Sequence, residues 1–141
     1  MNLYLGGLLL VMAVAQASDL PGFHGVIRSY EVRRSLAWPL VLVLVGGAAV
    51  GGIGLLRVRG ARTSAIVALS VAVLWSALAI QAFARGLEVD NCGCFGVHLA
   101  QPLRWWILLE DMWFVGLAAW VWHRSRPALT RPDPLAEGRA R

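Results

Sequence analysis

The sequence predicts an all-α fold, an integral membrane four-helix bundle, on three observations. Of the 141 residues 58% are hydrophobic and only 15% charged, against about 25% charged in soluble domains. The mean hydropathy is +0.64. The apolar residues fall in four runs that approach the roughly 20 helical residues needed to cross a bilayer core of about 30 Å. Backbone cannot be left unpaired in lipid, so runs of this kind are helices.

The first helix is expected over about 3–20. Its uncharged run ends near Asp19 and Pro21, and a tilted helix reaching Leu20 would meet the interface. Ala15-Gln16-Ala17 before Ser18 has the form of a signal-peptidase site, but a secretory signal needs a basic n-region, which Met1-Asn2 does not supply. The helix is therefore expected to be retained. The second helix spans 36–56 and the third 64–83, stopped by Arg85 and Gly86. The fourth, 105–122, has Trp105 and Trp106 at one end and Trp120 and Trp122 at the other, as expected of rings that settle at two headgroup layers. Residues 1–122 then form the transmembrane domain, and 123–141, with prolines among arginines, a disordered basic cytoplasmic tail.

All 13 basic residues are arginine, and the pI is near 10.6. Their position at the ends of apolar runs is a topology signal, so no nucleic-acid partner is expected. Eight arginines flank one face (Arg57, Arg59, Arg62, Arg124, Arg126, Arg131, Arg139, Arg141) and five the other (Arg28, Arg33, Arg34, Arg85, Arg104). The positive-inside rule puts both termini in the cytoplasm and residues 84–104 outside an inner (plasma) membrane.

That outer loop holds Glu88-Val89-Asp90-Asn91-Cys92-Gly93-Cys94-Phe95-Gly96, with both cysteines of the chain. Outside is the compartment where thiols form disulfides. Four readings are open: a structural staple, a metal site, a redox pair, or two incidental thiols. A three-residue ring would stabilise the fold by only roughly 1.5 kcal/mol, which argues against a staple. A closed zinc site wants four protein ligands, of which Asp90 or His98 could join the thiolates, as in a metal carrier. A Cys-Gly-Cys disulfide closes a small strained ring, and strained exposed disulfides are the labile, catalytic ones.

Three further residues are candidates for proton or electrostatic roles. His98 lies four residues past Cys94, and imidazole is the side chain suited to proton transfer near neutral pH. Glu110 and Asp111 stand in the fourth helix, where acids are functional candidates by default. Glu110 is five residues beyond Trp105, hence about 7.5 Å deep. The alternative for both acids is an ion pair with Arg85 or Arg104, or snorkelling toward the headgroups. Gly47 and Gly51 have the spacing of close helix packing, and Gln81 could hydrogen-bond across the bundle.

The string Arg85-Gly86, Val89-Asp90, Cys92-Gly93-Cys94-Phe95-Gly96, followed by a Trp-led helix, resembles the methylamine-utilisation MauE family. Ser18, Phe23 and Tyr30 fit it as well, and the similarity extends over roughly residues 3–122. The resemblance implies a DoxX-like four-helix membrane fold. It also implies a helper in producing methylamine dehydrogenase, whose small subunit is rich in disulfides, working with a thioredoxin-like partner. In the fourth helix this chain has Glu110-Asp111 where the family tends to have an Arg-Asn pair.

The expected function is thiol-disulfide exchange through Cys92 and Cys94 with an extracytoplasmic thioredoxin-like protein, in amine dehydrogenase maturation. The alternatives are a non-catalytic anchor or assembly subunit for a redox partner and a thiol-based metal carrier. No motif requires a resident metal or cofactor. One dithiol holds two electrons, however, so a quinone or another protein must complete any cycle.

Overall fold

Each apolar run becomes a helix, and the segment between the first two becomes another. The computed structural model describes residues 1–57 and 61–125. Helix α1 is Asn2–Ala17, α2 Leu20–Ser29, α3 Arg34–Leu56, α4 Ala61–Ala84 and α5 Trp105–Arg124. Among the described residues there is no strand. Arg59 and residues 126–141, on which part of the arginine count and the expected tail rest, lie outside the described residues. The helix that precedes that tail continues to Arg124.

The first helix does not reach Leu20. It stops at Ala17, and α2 leaves it at 99°. The break has a local cause: Ser18 turns its hydroxyl back onto the Ala15 carbonyl at 2.7 Å, and the Asp19 carboxylate accepts the Gly22 N–H at 2.9 Å, capping a new helix that has Pro21 in its first turn. Such a cap contributes about 1 kcal/mol. Helix α2 is amphipathic. Phe23 and Ile27 are buried, with Tyr30 at its C-cap, while Arg28 and Ser29 are exposed.

Helices α3 and α4 are long and apolar enough to cross a membrane, each with a 23-residue span, about 34 Å at 1.5 Å per residue. Helix α1, 16 residues long, qualifies only together with the bent α2. Helix α5 does not meet the same criterion, and it carries Glu110, Asp111, His123 and Arg124. The aromatic ends expected of it are present: Trp105 is 61% exposed, Arg104 lies over the Trp106 ring at 5.4 Å, and Arg124 lies over Trp120 at 4.8 Å.

The helices pack in sequence, α1 on α3, α3 on α4 and α4 on α5, leaving α1 and α5 barely in touch. Small residues permit the close approaches. The Gly51 Cα faces the Ala68 backbone and Gly47 lies under Val71, while Gly6 of α1 meets Gly52 of α3. Gly47, Gly51 and Gly52 of α3 therefore serve packing inside the bundle. One layer of core, with Leu5, Leu9, Ala48, Leu55 and Val121, fills the end near the N-terminus. The other, with Phe23, Ile27, Tyr30, Leu44, Trp75 and Val89, lies under the 85–104 loop.

Candidate functional site

Residues 85–104 contain no helix, and connections of such length without secondary structure are uncommon in compact domains and usually functional. This one is tightly tied. Helix α4 ends in a Schellman motif, with Gly86 N–H on the Phe83 carbonyl and Leu87 N–H on that of Ala82. The loop then pairs with itself: Leu103 N–H donates to the Val89 carbonyl at 2.8 Å and Cys92 N–H to that of Gln101 at 2.7 Å. Asn91 fastens the tip, accepting Gly93 N–H and donating to the Gly96 carbonyl, both at 2.9 Å.

The tip is docked, not solvated. Cys92 is 2% exposed and Cys94 only partly accessible, in contrast to the exposed ring expected from spacing and compartment. Two distant side chains hold it. The Tyr30 hydroxyl donates to the Cys92 carbonyl at 2.8 Å, and Gln16 Nε2 donates to the carbonyls of Cys94 at 3.0 Å and Gly93 at 3.4 Å. Burial raises the pKa of the Tyr30 hydroxyl and keeps it a donor. Gly93 (φ +82°) and Gly96 (φ +63°) adopt left-handed backbone and have no room for a side chain. A Cβ at Gly93 would lie 2.8 Å from Val26 Cγ1, and one at Gly96 2.8 Å from the Ala15 carbonyl oxygen. The bend after α1 is thus what creates the seat: α1 ends in Ala15 and Gln16 beneath the loop, and α2 brings Phe23, Val26 and Tyr30 against its side.

Cys92 and Cys94 are free thiols with their Sγ atoms 3.5 Å apart. Their ionisations are unequal. A hydrogen bond from Cys94 lowers the pKa of Cys92 against the opposing effect of burial. The same hydrogen bond, aided by burial and the neighbouring charge, pushes Cys94 up. Glu110 and Asp111 raise both. The first charge on the pair therefore rests on Cys92, with the proton on Cys94.

The other expected residues separate. Glu110 and Asp111 line a cavity together with Cys94, so the acids do reach the thiol site. Neither forms an ion pair with a described residue, because Arg85 pairs with Glu31 at the end of α2 and Arg104 lies on Trp106. The alternative of an ion pair with Arg85 or Arg104 is therefore not what these described residues form. His98 is turned to α1, its Nε2 2.6 Å from Ser18 Oγ. His24 stacks on Trp38 at 4.5 Å. Gln81 does bridge the bundle, donating to the Tyr30 carbonyl at 3.3 Å. Among the described residues no three His, Cys, Asp or Glu side chains are grouped to hold a metal ion.

Sequence reading missed Gln16, Tyr30, Trp75 and Asn91 as site residues. One signal was available: Gln16 is a polar residue in an apolar helix, a position that marks function by default. It is fully buried.

The family model for methylamine utilisation protein MauE matches residues 1–124. The chain belongs to the MauE family. Residues 1–124 include every helix among the described residues and the whole cysteine loop, so MauE membership extends to the site and not only to its scaffold. A methylamine utilization protein MauE of Paracoccus denitrificans is 29% identical over 139 residues, 98% of this chain and 74% of the relative. No solved structure matches the chain significantly. With its apolar helices, this MauE-family chain is a membrane protein.

Proposed function

We propose that the chain is a thiol-disulfide redox helper of the inner membrane, exchanging electrons through Cys92 and Cys94 with an extracytoplasmic thioredoxin-like protein in methylamine utilisation. The observation that carries this reading is the pair itself: two free thiols 3.5 Å apart, their peptide carbonyls clamped by Tyr30 and Gln16. A clamp on the carbonyls fixes the backbone while leaving the side chains free to turn. The arginine bias supports an outer loop and cytoplasmic termini.

Access and charge divide the roles. Cys94 is the more accessible residue, and attack on a disulfide requires access as well as thiolate. Cys94 Sγ attacks one sulfur of the partner's disulfide as its proton passes to the Cys92 thiolate. The partner's S–S bond breaks, a mixed disulfide forms, and the partner's second sulfur leaves as thiolate. Cys92 then passes its proton to that thiolate and displaces the partner's first sulfur from Cys94, which leaves as thiolate and takes a proton from water. The chain is left as a disulfide and the partner as a dithiol. The reverse sequence oxidises the partner.

The pathway is tested by complementation. A methylamine-grown bacterium lacking its own MauE-family protein should regain growth with this chain and not with its C92S or C94S variants, at equal membrane abundance. Growth restored by both variants would remove the thiols from the function.

A further inference from the structure

The single dithiol of this chain must pass its two electrons on, and the structure provides a place beside it. A cavity of about 260 Å³ opens in the seam where α1 and α5 barely meet. It is smaller than the roughly 300–1,000 Å³ of drug-sized sites, and suits one substituted ring. Cys94, Glu110, Asp111, Trp75 and Phe114 line it. Tyr4, Leu8 and Met12 follow at four-residue spacing along α1, one face of a helix. Tyr4 is 63% and Trp113 71% exposed, so in a bilayer the mouth of the seam opens to lipid. Trp75 is 3% exposed, and its indole N–H has no acceptor among the described residues. A buried donor without a partner costs about 1–3 kcal/mol, a cost that a ligand carbonyl would remove.

We propose that this cavity binds the headgroup of a lipid-soluble quinone, which takes the two electrons of the Cys92 and Cys94 dithiol. The occupant must be apolar enough to enter from lipid, ring-shaped, a hydrogen-bond acceptor, and able to accept two electrons and two protons beside a thiol. A quinone meets all four conditions, with its tail along the Tyr4, Leu8 and Met12 seam. In the reaction the two S–H bonds break and one S–S bond forms. The two electrons reduce the quinone, and the two protons end on its oxygens, relayed by the carboxyl groups of Glu110 and Asp111. The chain thereby becomes an oxidant of its partner, an inference that rests on the redox reading above and gives it a direction.

The test uses the reduced full-length protein in nanodiscs without oxygen, with a short-chain ubiquinone and a short-chain menaquinone as probes. Hydroquinone formation and thiol loss are followed together, and the reaction of the same thiols with a water-soluble aromatic disulfide is measured in parallel. Expected are one hydroquinone per two thiols lost, and quenching of tryptophan fluorescence by quinone in the C92S/C94S double variant, where no reaction is possible. Leu8→Trp, which fills the cavity, should lower the quinone rate at least tenfold relative to that variant's own aromatic-disulfide rate. Thiols oxidised by the disulfide but by neither quinone, with no quenching, would overturn the quinone site and leave the redox reading standing. An undiminished relative rate in Leu8→Trp would also overturn the site. Thiols inert to all three oxidants would overturn both.

Discussion

The hydroxyl of Tyr30 and the carbonyl of Cys92 meet at 2.8 Å across 62 residues of sequence. This bond ties the short surface helix to the cysteine loop, and Gln81, by holding the Tyr30 carbonyl, extends the tie to α4. Tyr30→Phe leaves the Cys92 carbonyl without that donor in a buried site, at a cost of about 1–3 kcal/mol. Because the lost bond is local to the loop, the helices should remain inserted while Cys92 becomes more open. Alkylation of Cys92 in native detergent solution should therefore accelerate in Tyr30→Phe, with the helical circular dichroism unchanged.

Gly93→Ala and Gly96→Ala test the seat of the loop. Each forces a side chain into left-handed backbone, at roughly 1–2 kcal/mol, and adds a contact of 2.8 Å with Val26 or with the Ala15 carbonyl. Gly46→Ala, with nothing within 4 Å of its Cβ, is the control. The first two should lower the denaturation temperature of the purified protein, and the control should not.

The thiols should titrate apart. Because the Cys94 hydrogen bond favours the Cys92 thiolate, the first rise in thiolate absorbance should come below the ordinary thiol range, and the second above it. Cys94→Ala removes the donor, so the remaining thiol should ionise at higher pH than the first step of the wild type. Asp111→Asn removes a nearby negative charge that raises both thiols, and should move both steps to lower pH.

Much of this architecture can be read from the sequence, and the limits have physical causes. The uninterrupted runs behind α3 and α4 leave no alternative to helices in lipid, and the separation of Cys92 from Cys94 already brings the thiols together. Gln81 announces itself as a polar side chain with something to bind. The 99° turn at Ser18 and Asp19 is less legible, because an apolar run with a proline after it also describes a helix that simply ends. Once that turn is missed, the partners it creates are missed too: Gln16 reaches Cys94 78 residues away, and Glu31 takes Arg85 from the acids of α5. Those contacts depend on topology and not on local pattern.

The Glu31 and Arg85 pair is about half exposed on both sides, and pairs of that kind contribute roughly 0–1 kcal/mol. Glu31→Gln should shift the denaturation temperature little and lose its effect in high salt, whereas Gln81→Leu, which removes the donor to the Tyr30 carbonyl, should destabilise more.

Orientation is checked by reporter fusions. Those after Arg62 and Arg126 should read cytoplasmic and one at Val97 extracytoplasmic, since thiol exchange of the kind proposed needs the oxidising side. The potential of the pair should accordingly lie above the roughly −300 mV below which structural disulfides fall.

Trapping of the partner tests the central claim most directly. The C92S variant, purified in membranes and mixed with its thioredoxin-like partner in the disulfide form, should give a mixed disulfide through Cys94 on a non-reducing gel, because the thiol that would resolve it is gone. The C94S variant should trap far less, its remaining thiol being buried, and the wild type in its disulfide form should oxidise the reduced partner. A wild-type pair that exchanges no electrons with the partner in either direction, with no adduct in either variant, would contradict the assignment of Cys92 and Cys94 as a redox pair.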